Sequence, residues 1–114
     1  MADKPPLVAV RFTPEFKRSL RTLAKKYRHI RQDVEPVIEQ LQNGSLPGDK
    51  VPGVGYAIFK VRVPNRDRAR GKSAGYRIIY YLQTTSEIVL ITIYSKSEQS
   101  DISRAQIRRI VSQL

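Results

Sequence analysis

The chain has 114 residues, no cysteine, one histidine and a formal net charge of +11 at pH 7. This length suits one modest hydrophobic core, so we expect a single domain over residues 1–114, with residues 1–6 disordered. Absence of cysteine excludes a disulfide framework or a thiolate metal site, and one histidine is too few for an ordinary zinc site; we expect no metal and no cofactor.

The positive charge favours polyanionic partners, because lysine and arginine neutralise phosphates and release counterions. An anionic membrane surface is the lesser alternative. No apolar run approaches the roughly 20 residues of a membrane span, and the N-terminus lacks the apolar core of a signal peptide. We therefore expect a soluble, cytoplasmic protein without a membrane partner.

The first half of the chain predicts a strand and then a helical hairpin. Alternating apolar residues in VAVRFT indicate the strand, and Thr13 can cap the first helix with Pro14 at its first position. The helical apolar stripes are Phe16, Leu20, Leu23 and Tyr27, then Ile30, Val34, Val37, Ile38 and Leu41. Pro36 indicates that the second helix begins near Asp33, and Asn43-Gly44 ends it.

The second half predicts a sheet and a short terminal helix. The Gly- and Pro-rich segment SLPGDKVPGVG reads as a loop. Strands are expected at 56–63, 75–82 and 87–94, and their short connections favour antiparallel pairing. Ser103, with Gln106 three residues later, forms a capping-box pattern before the last apolar residues and predicts a helix there.

Cations are concentrated around the first two of these strands. Between Lys60 and Arg77 there are seven cations and one acid, Asp67. The seven are Lys60, Arg62, Arg66, Arg68, Arg70, Lys72 and Arg77. Side chains alternate in a strand, so Lys60 and Arg62 share one face and Arg77 joins them if the strands pair. The pattern fits a phosphate-binding surface, and a solvated basic sheet face is the simpler alternative.

Three strings of the chain carry a family resemblance: KVRVPN at 60–65, GKSAGYRIIYY at 71–81 and LITIYSKSEQSDIS at 90–103. Together they resemble the RelE/ParE toxin superfamily, nearest its HigB-like and RelE-like branch. The resemblance implies an α+β, RelE-like fold, with an N-terminal helical hairpin on a small twisted antiparallel sheet and a short C-terminal helix. It also implies the toxin of a type II toxin–antitoxin system, a ribosome-dependent, metal-free mRNA endonuclease that cuts in the A site.

By this resemblance, Lys60 is the general-base candidate, while Arg62 and Arg77 hold the scissile phosphate. Further phosphate contacts are expected from the loop and from the residue after the last strand: Arg66, Arg68, Arg70, Lys72 and Lys96. Tyr94 is a candidate for base stacking or proton relay. Where RelE proteins have an arginine and then a tyrosine, this chain has Ser97 and Ser103. Glu98 and Asp101 are the substitute acids, or else loop caps and ion-pair partners.

The implied partners are a cognate antitoxin, the ribosome and mRNA, in a toxin–antitoxin hetero-oligomer. Two alternatives stay open: a ParE-like inhibitor of DNA gyrase, and a non-enzymatic basic RNA-binding module. His29 is expected at the surface or as a helix cap, because the sequence shows no acid–base partner for it. The tyrosines of the second long strand, Tyr76, Tyr80 and Tyr81, are expected to pack in the sheet, with Tyr81 beside the site.

Overall fold

The computed structural model describes residues 7–67 and 75–114, which form three helices and five strands. In chain order they are β1 (Ala9–Phe12), α1 (Pro14–Ala24), α2 (Ile30–Gln42), β2 (Asp49–Lys50), β3 (Ile58–Val63), β4 (Tyr76–Thr84), β5 (Glu87–Ser95) and α3 (Arg104–Val111). No helix in these ranges is long and apolar enough to cross a membrane.

The five strands form one sheet in the order β1-β5-β4-β3-β2. Strands β3, β4 and β5 pair antiparallel, as predicted, and β2 also pairs antiparallel with β3; the turn between β4 and β5 falls close to the expected Thr84, Thr85 and Ser86. Strand β1 instead pairs parallel to β5 at the opposite edge. Strand β2 was predicted as loop; its two residues pair with Lys60 and Phe59 of β3.

The sheet separates two hydrophobic clusters because its apolar side chains alternate between faces. One face packs against α1 and α2 through residues such as Val61, Ile78 and Tyr80. The other face contributes Ile58 and Ile79 to a second cluster, which α3 covers. The hairpin therefore lies on one side of the sheet, while α3 covers only part of the other side.

Helix α1 begins as its sequence predicts. The Thr13 hydroxyl accepts a hydrogen bond from the Phe16 amide at 2.9 Å and donates to the Ile91 carbonyl at 2.7 Å, while Pro14 begins the helix. This buried cap fixes α1 against the centre of β5. Helix α3 also has its predicted cap, because Ser103 Oγ accepts from the Gln106 amide at 3.1 Å.

The start of α2 was predicted wrongly. The helix begins at Ile30 with His29 at its N-cap, so Pro36 lies inside it. An interior proline costs about 3 kcal/mol, since it removes a hydrogen bond and crowds the preceding turn. Burial of the apolar stripe offsets this cost. The buried residues are Ile30, Val34, Val37 and Leu41.

Two glycines permit close backbone approaches around β3. A Cβ on Gly75 would collide with the Val63 carbonyl oxygen, and a Cβ on Gly48 with that of Lys60. Gly48 also has a φ of +91°, which disfavours other residues. These contacts hold β2 and β4 tightly against the strand that carries Lys60 and Arg62.

Candidate active site

Lys60, Arg62 and Arg77, here called the cationic trio, share one face of the sheet. Lys60 and Arg62 are two positions apart on β3, about 7 Å along the strand. Arg77 of β4 is the register partner of Arg62, and such partners have Cα atoms about 5 Å apart. This is the face opposite the helical hairpin.

The three cations differ in burial. Arg77 is 6% exposed and donates from Nη1 to the Tyr76 carbonyl at 3.1 Å. Lys60 is about one-third exposed, and Arg62 is exposed. Within residues 7–67 and 75–114, neither arginine forms an ion pair with a carboxylate. A guanidinium is always charged, so the buried guanidinium of Arg77 attracts an anion.

Asp101 holds the ammonium group of Lys60. Its Oδ1 lies 2.8 Å from Lys60 Nζ and accepts from the Ile102 amide at 2.8 Å and the Tyr94 hydroxyl at 3.3 Å. The hydrogen bond from Lys60, followed by that from Ile102, lowers the pKa of Asp101. Asp101 is therefore a carboxylate at neutral pH, with no proton to donate.

Tyr94 belongs to the same face, because it is the register partner of Arg77 on β5. Burial, followed by the nearby Asp101 charge, raises the pKa of Tyr94 to about 12. Its phenol therefore keeps its proton at neutral pH. The hydrogen bond to Asp101 connects Tyr94 to Lys60 through a single carboxylate oxygen.

Other predicted site residues lie elsewhere or outside the described ranges. Arg66 turns toward α2, where its amide donates to Asp33 at 3.0 Å and its guanidinium to Gln32 at 2.9 Å. Lys96 donates to the Ser100 carbonyl at 2.6 Å. Arg68, Arg70 and Lys72 fall outside the described residues.

Glu98 points away from Lys60. It accepts from Lys26 Nζ at 2.9 Å and from the Tyr27 hydroxyl at 3.1 Å. Tyr27 packs edge-on against Tyr76 in the cluster under the hairpin. The structure therefore places Glu98 beside the helical hairpin. Of the two predicted acids, Asp101 is the one that contacts the cationic trio. Tyr76 and Tyr80 are buried in the cluster under the hairpin, as predicted.

His29 has a partner that sequence reasoning missed. Its ring Nδ1 lies 2.8 Å from Asp67 Oδ1, and its amide donates to Oδ2 at 2.9 Å. The hydrogen bond from the His29 backbone amide, followed by the contact with the His29 ring, lowers the pKa of the Asp67 carboxyl group. The pair ties the end of β3 to the joint between α1 and α2, on an exposed surface. No local motif signals a contact between residues 38 positions apart.

A cavity of about 530 Å³ opens beside Lys60, between β2 and the start of α3. Sequence reasoning did not identify it, because its walls come from segments about 50 residues apart. The residues that line it are Asp49, Lys50, Val51, Pro52, Lys60, Asp101, Ile102, Ser103, Arg104 and Ile107. Lys60 thus belongs both to the trio and to the wall of this cavity.

The family model described as the ParE toxin of the type II toxin–antitoxin system parDE matches residues 10–100. The chain belongs to this toxin family. Among solved structures, an arginine-to-alanine mutant of the E. coli toxin RelE in the free state has the same fold. Its TM-score is 0.56 at 15% identity, over 95% of this chain and 98% of that chain. The predicted RelE/ParE membership and RelE-like fold are confirmed.

Proposed function

We propose that this toxin is a ribosome-dependent mRNA endonuclease, which cuts translated mRNA in the A site in the cytoplasm without a metal ion. The observation that carries the proposal is the cationic trio on the sheet face opposite the helical hairpin, with Arg62 and Arg77 directly opposite each other. A single linkage placed there meets two guanidinium groups and one ammonium group.

The reaction begins with attack of the RNA 2′-oxygen on the adjacent phosphorus. The bond from phosphorus to the 5′-oxygen breaks, leaving a 2′,3′-cyclic phosphate and a 5′-hydroxyl. Negative charge grows on the non-bridging oxygens, and preorganised donors there are the largest single source of rate enhancement in many enzymes. Arg62 and Arg77 supply those donors, and the burial of Arg77 holds its guanidinium in place.

Lys60 is the proposed general base for the 2′-hydroxyl. A base must be neutral, whereas Lys60 is ion-paired with Asp101 in the free toxin. The substrate phosphate repels the Asp101 carboxylate, and the charges of Arg62 and Arg77 oppose a third positive charge beside them. Release of Asp101 is therefore part of substrate binding in this mechanism.

Tyr94 is the proposed donor to the leaving 5′-oxygen, since its phenol is protonated and lies opposite Arg77. Asp101, with its lowered pKa, cannot fill this role; in the free toxin it orients Tyr94 and Lys60. Ser97 and Ser103, which stand where RelE proteins have an arginine and a tyrosine, form hydrogen bonds within the fold. Ser97 Oγ lies 3.0 Å from Ser95 Oγ, and Ser103 caps α3.

Membership of a toxin–antitoxin family indicates a cognate antitoxin. We propose that it forms a hetero-oligomer with the toxin and covers the cationic face, using an acidic or apolar segment that folds on binding. The ribosome and mRNA are the proposed targets. Flanking phosphates are assigned to the remaining predicted cations: Arg66, Arg68, Arg70, Lys72 and Lys96.

The test is to induce the wild type and Arg77→Ala in cells and map mRNA 5′ ends. New ends inside translated codons are expected with the wild type and not with Arg77→Ala. Arg21→Ala is the matched control, because Arg21 is an exposed arginine on α1, across the sheet from the trio; it should cut like the wild type. Intact messages in growth-arrested wild-type cells would reject the proposal.

Gyrase inhibition is the second candidate, favoured by the ParE description of the matching family model. It predicts intact messages together with broken chromosomes in the same induction experiment. A non-enzymatic RNA-binding module predicts neither kind of damage.

A further inference from the structure

The cavity beside Lys60 has the size and composition of a nucleobase site. Its volume of about 530 Å³ lies within the range of small-molecule pockets. The buried side chains of Ile102 and Ile107 belong to its apolar lining, which can pack against a flat heterocycle. Because Lys60 lines the same cavity, a base held there belongs to a nucleotide next to the proposed cleaved linkage.

Asp49 is the polar group available to read that base. It is the register partner of Lys60, so both side chains project from the same face. Within the described ranges, the Asp49 carboxylate has no hydrogen-bond or ion-pair partner, whereas Asp101 is bonded to Lys60. The close approach of Gly48 to the Lys60 carbonyl fixes the backbone just before Asp49.

We infer that this cavity binds the base of a nucleotide flanking the scissile phosphate and that Asp49 selects bases with an amino group. A carboxylate only accepts hydrogen bonds, so it pairs with the exocyclic amine of cytosine and repels the uracil carbonyl at the same position. The inference rests on the proposed function for its choice of RNA as ligand.

Binding to oligonucleotides that cannot be cleaved tests this directly. Short 2′-O-methyl oligocytidylate and oligouridylate have the same size and charge and lack the attacking 2′-hydroxyl. The wild type should bind the cytidylate about tenfold more tightly at fixed ionic strength. Asp49→Asn should bring the ratio of the two affinities close to one, because an amide can donate to the carbonyl as well as accept from the amine.

Glu35→Gln is the matched control, since Glu35 is an exposed acid on α2, across the sheet from the cavity. It should keep the wild-type ratio. Equal affinity of the wild type for both oligomers would overturn the inference, and so would an unchanged ratio in Asp49→Asn. A cytidylate preference that Asp49→Asn abolishes, in a toxin that leaves cellular mRNA intact, would support base reading at Asp49 and reject the proposed cleavage.

Discussion

Replacing Arg77 with methionine should separate stability from activity. In the folded toxin Arg77 is 6% exposed, and no carboxylate in the described ranges pairs with it. Removing a buried ion in favour of an apolar side chain of similar length is often neutral or stabilising. The substitution loses one hydrogen bond, to the Tyr76 carbonyl, for which about 1 kcal/mol is a typical net contribution.

The balance of these effects predicts an unfolding free energy for Arg77→Met that is unchanged or about 1 kcal/mol higher, equivalent to a Tm rise of about 4 °C. Cleavage should fall by about 100-fold to 1,000-fold, as when one preorganised oxyanion donor is removed. Arg62→Met, at the exposed partner position, should lower cleavage without a comparable gain in stability.

Urea unfolding and cleavage on translating ribosomes measure the two effects separately. A large loss of stability in Arg77→Met would show that Arg77 is a structural residue, and the case for a preorganised phosphate site would fail. Wild-type cleavage by a stable Arg77→Met variant would equally refute the reasoning.

Three further substitutions test the framework of the site. Thr13→Val removes the buried bonds to Phe16 and Ile91 and should lower the unfolding free energy by about 2 kcal/mol in urea denaturation; an unchanged value would contradict the capping role. Gly75→Ala should prevent stable folding, because the added Cβ would collide with the Val63 carbonyl oxygen. Gly44 has open space around it, so Gly44→Ala should lower the free energy of unfolding by only about 1 kcal/mol. Thermal melts followed by circular dichroism compare the two variants. Because the pKa of Asp101 is lowered in the folded toxin, its carboxylate adds to the free energy of unfolding at pH values above 3.8, its ordinary pKa. This contribution is lost as the pH falls through the lower pKa of the folded state. The wild type should therefore lose more stability than Asp101→Asn below pH 3.8, and parallel pH profiles would show that the bond to Lys60 adds nothing.

Local patterns predicted much of the fold. The Thr13 and Ser103 caps, the Asn43-Gly44 helix end and the alternation in the long strands depend on residues within a few positions of each other. They lie where the sequence places them. The predicted start of α2 was wrong because burial of the helix's apolar stripe outweighs the helix-breaking effect of Pro36.

Long-range contacts account for the remaining differences. The parallel pairing of β1 with β5 joins segments nearly 80 residues apart, and β2 consists of two residues within a Gly- and Pro-rich stretch. In the site, strand alternation correctly grouped the trio on one face. It could not show that Asp101 reaches Lys60 across 41 positions or that Asp67 reaches His29. Such pairings depend on the tertiary positions of the loops, which local sequence patterns do not determine.

The most direct test is to incubate purified toxin with ribosomes carrying a defined mRNA and to determine the chemistry of any new ends. The proposed function, with Lys60, Arg62 and Arg77 acting on one linkage, predicts a cut in the A-site codon with a 2′,3′-cyclic phosphate upstream and a 5′-hydroxyl downstream. Uncut mRNA, or a cut that leaves a 3′-hydroxyl, would contradict it.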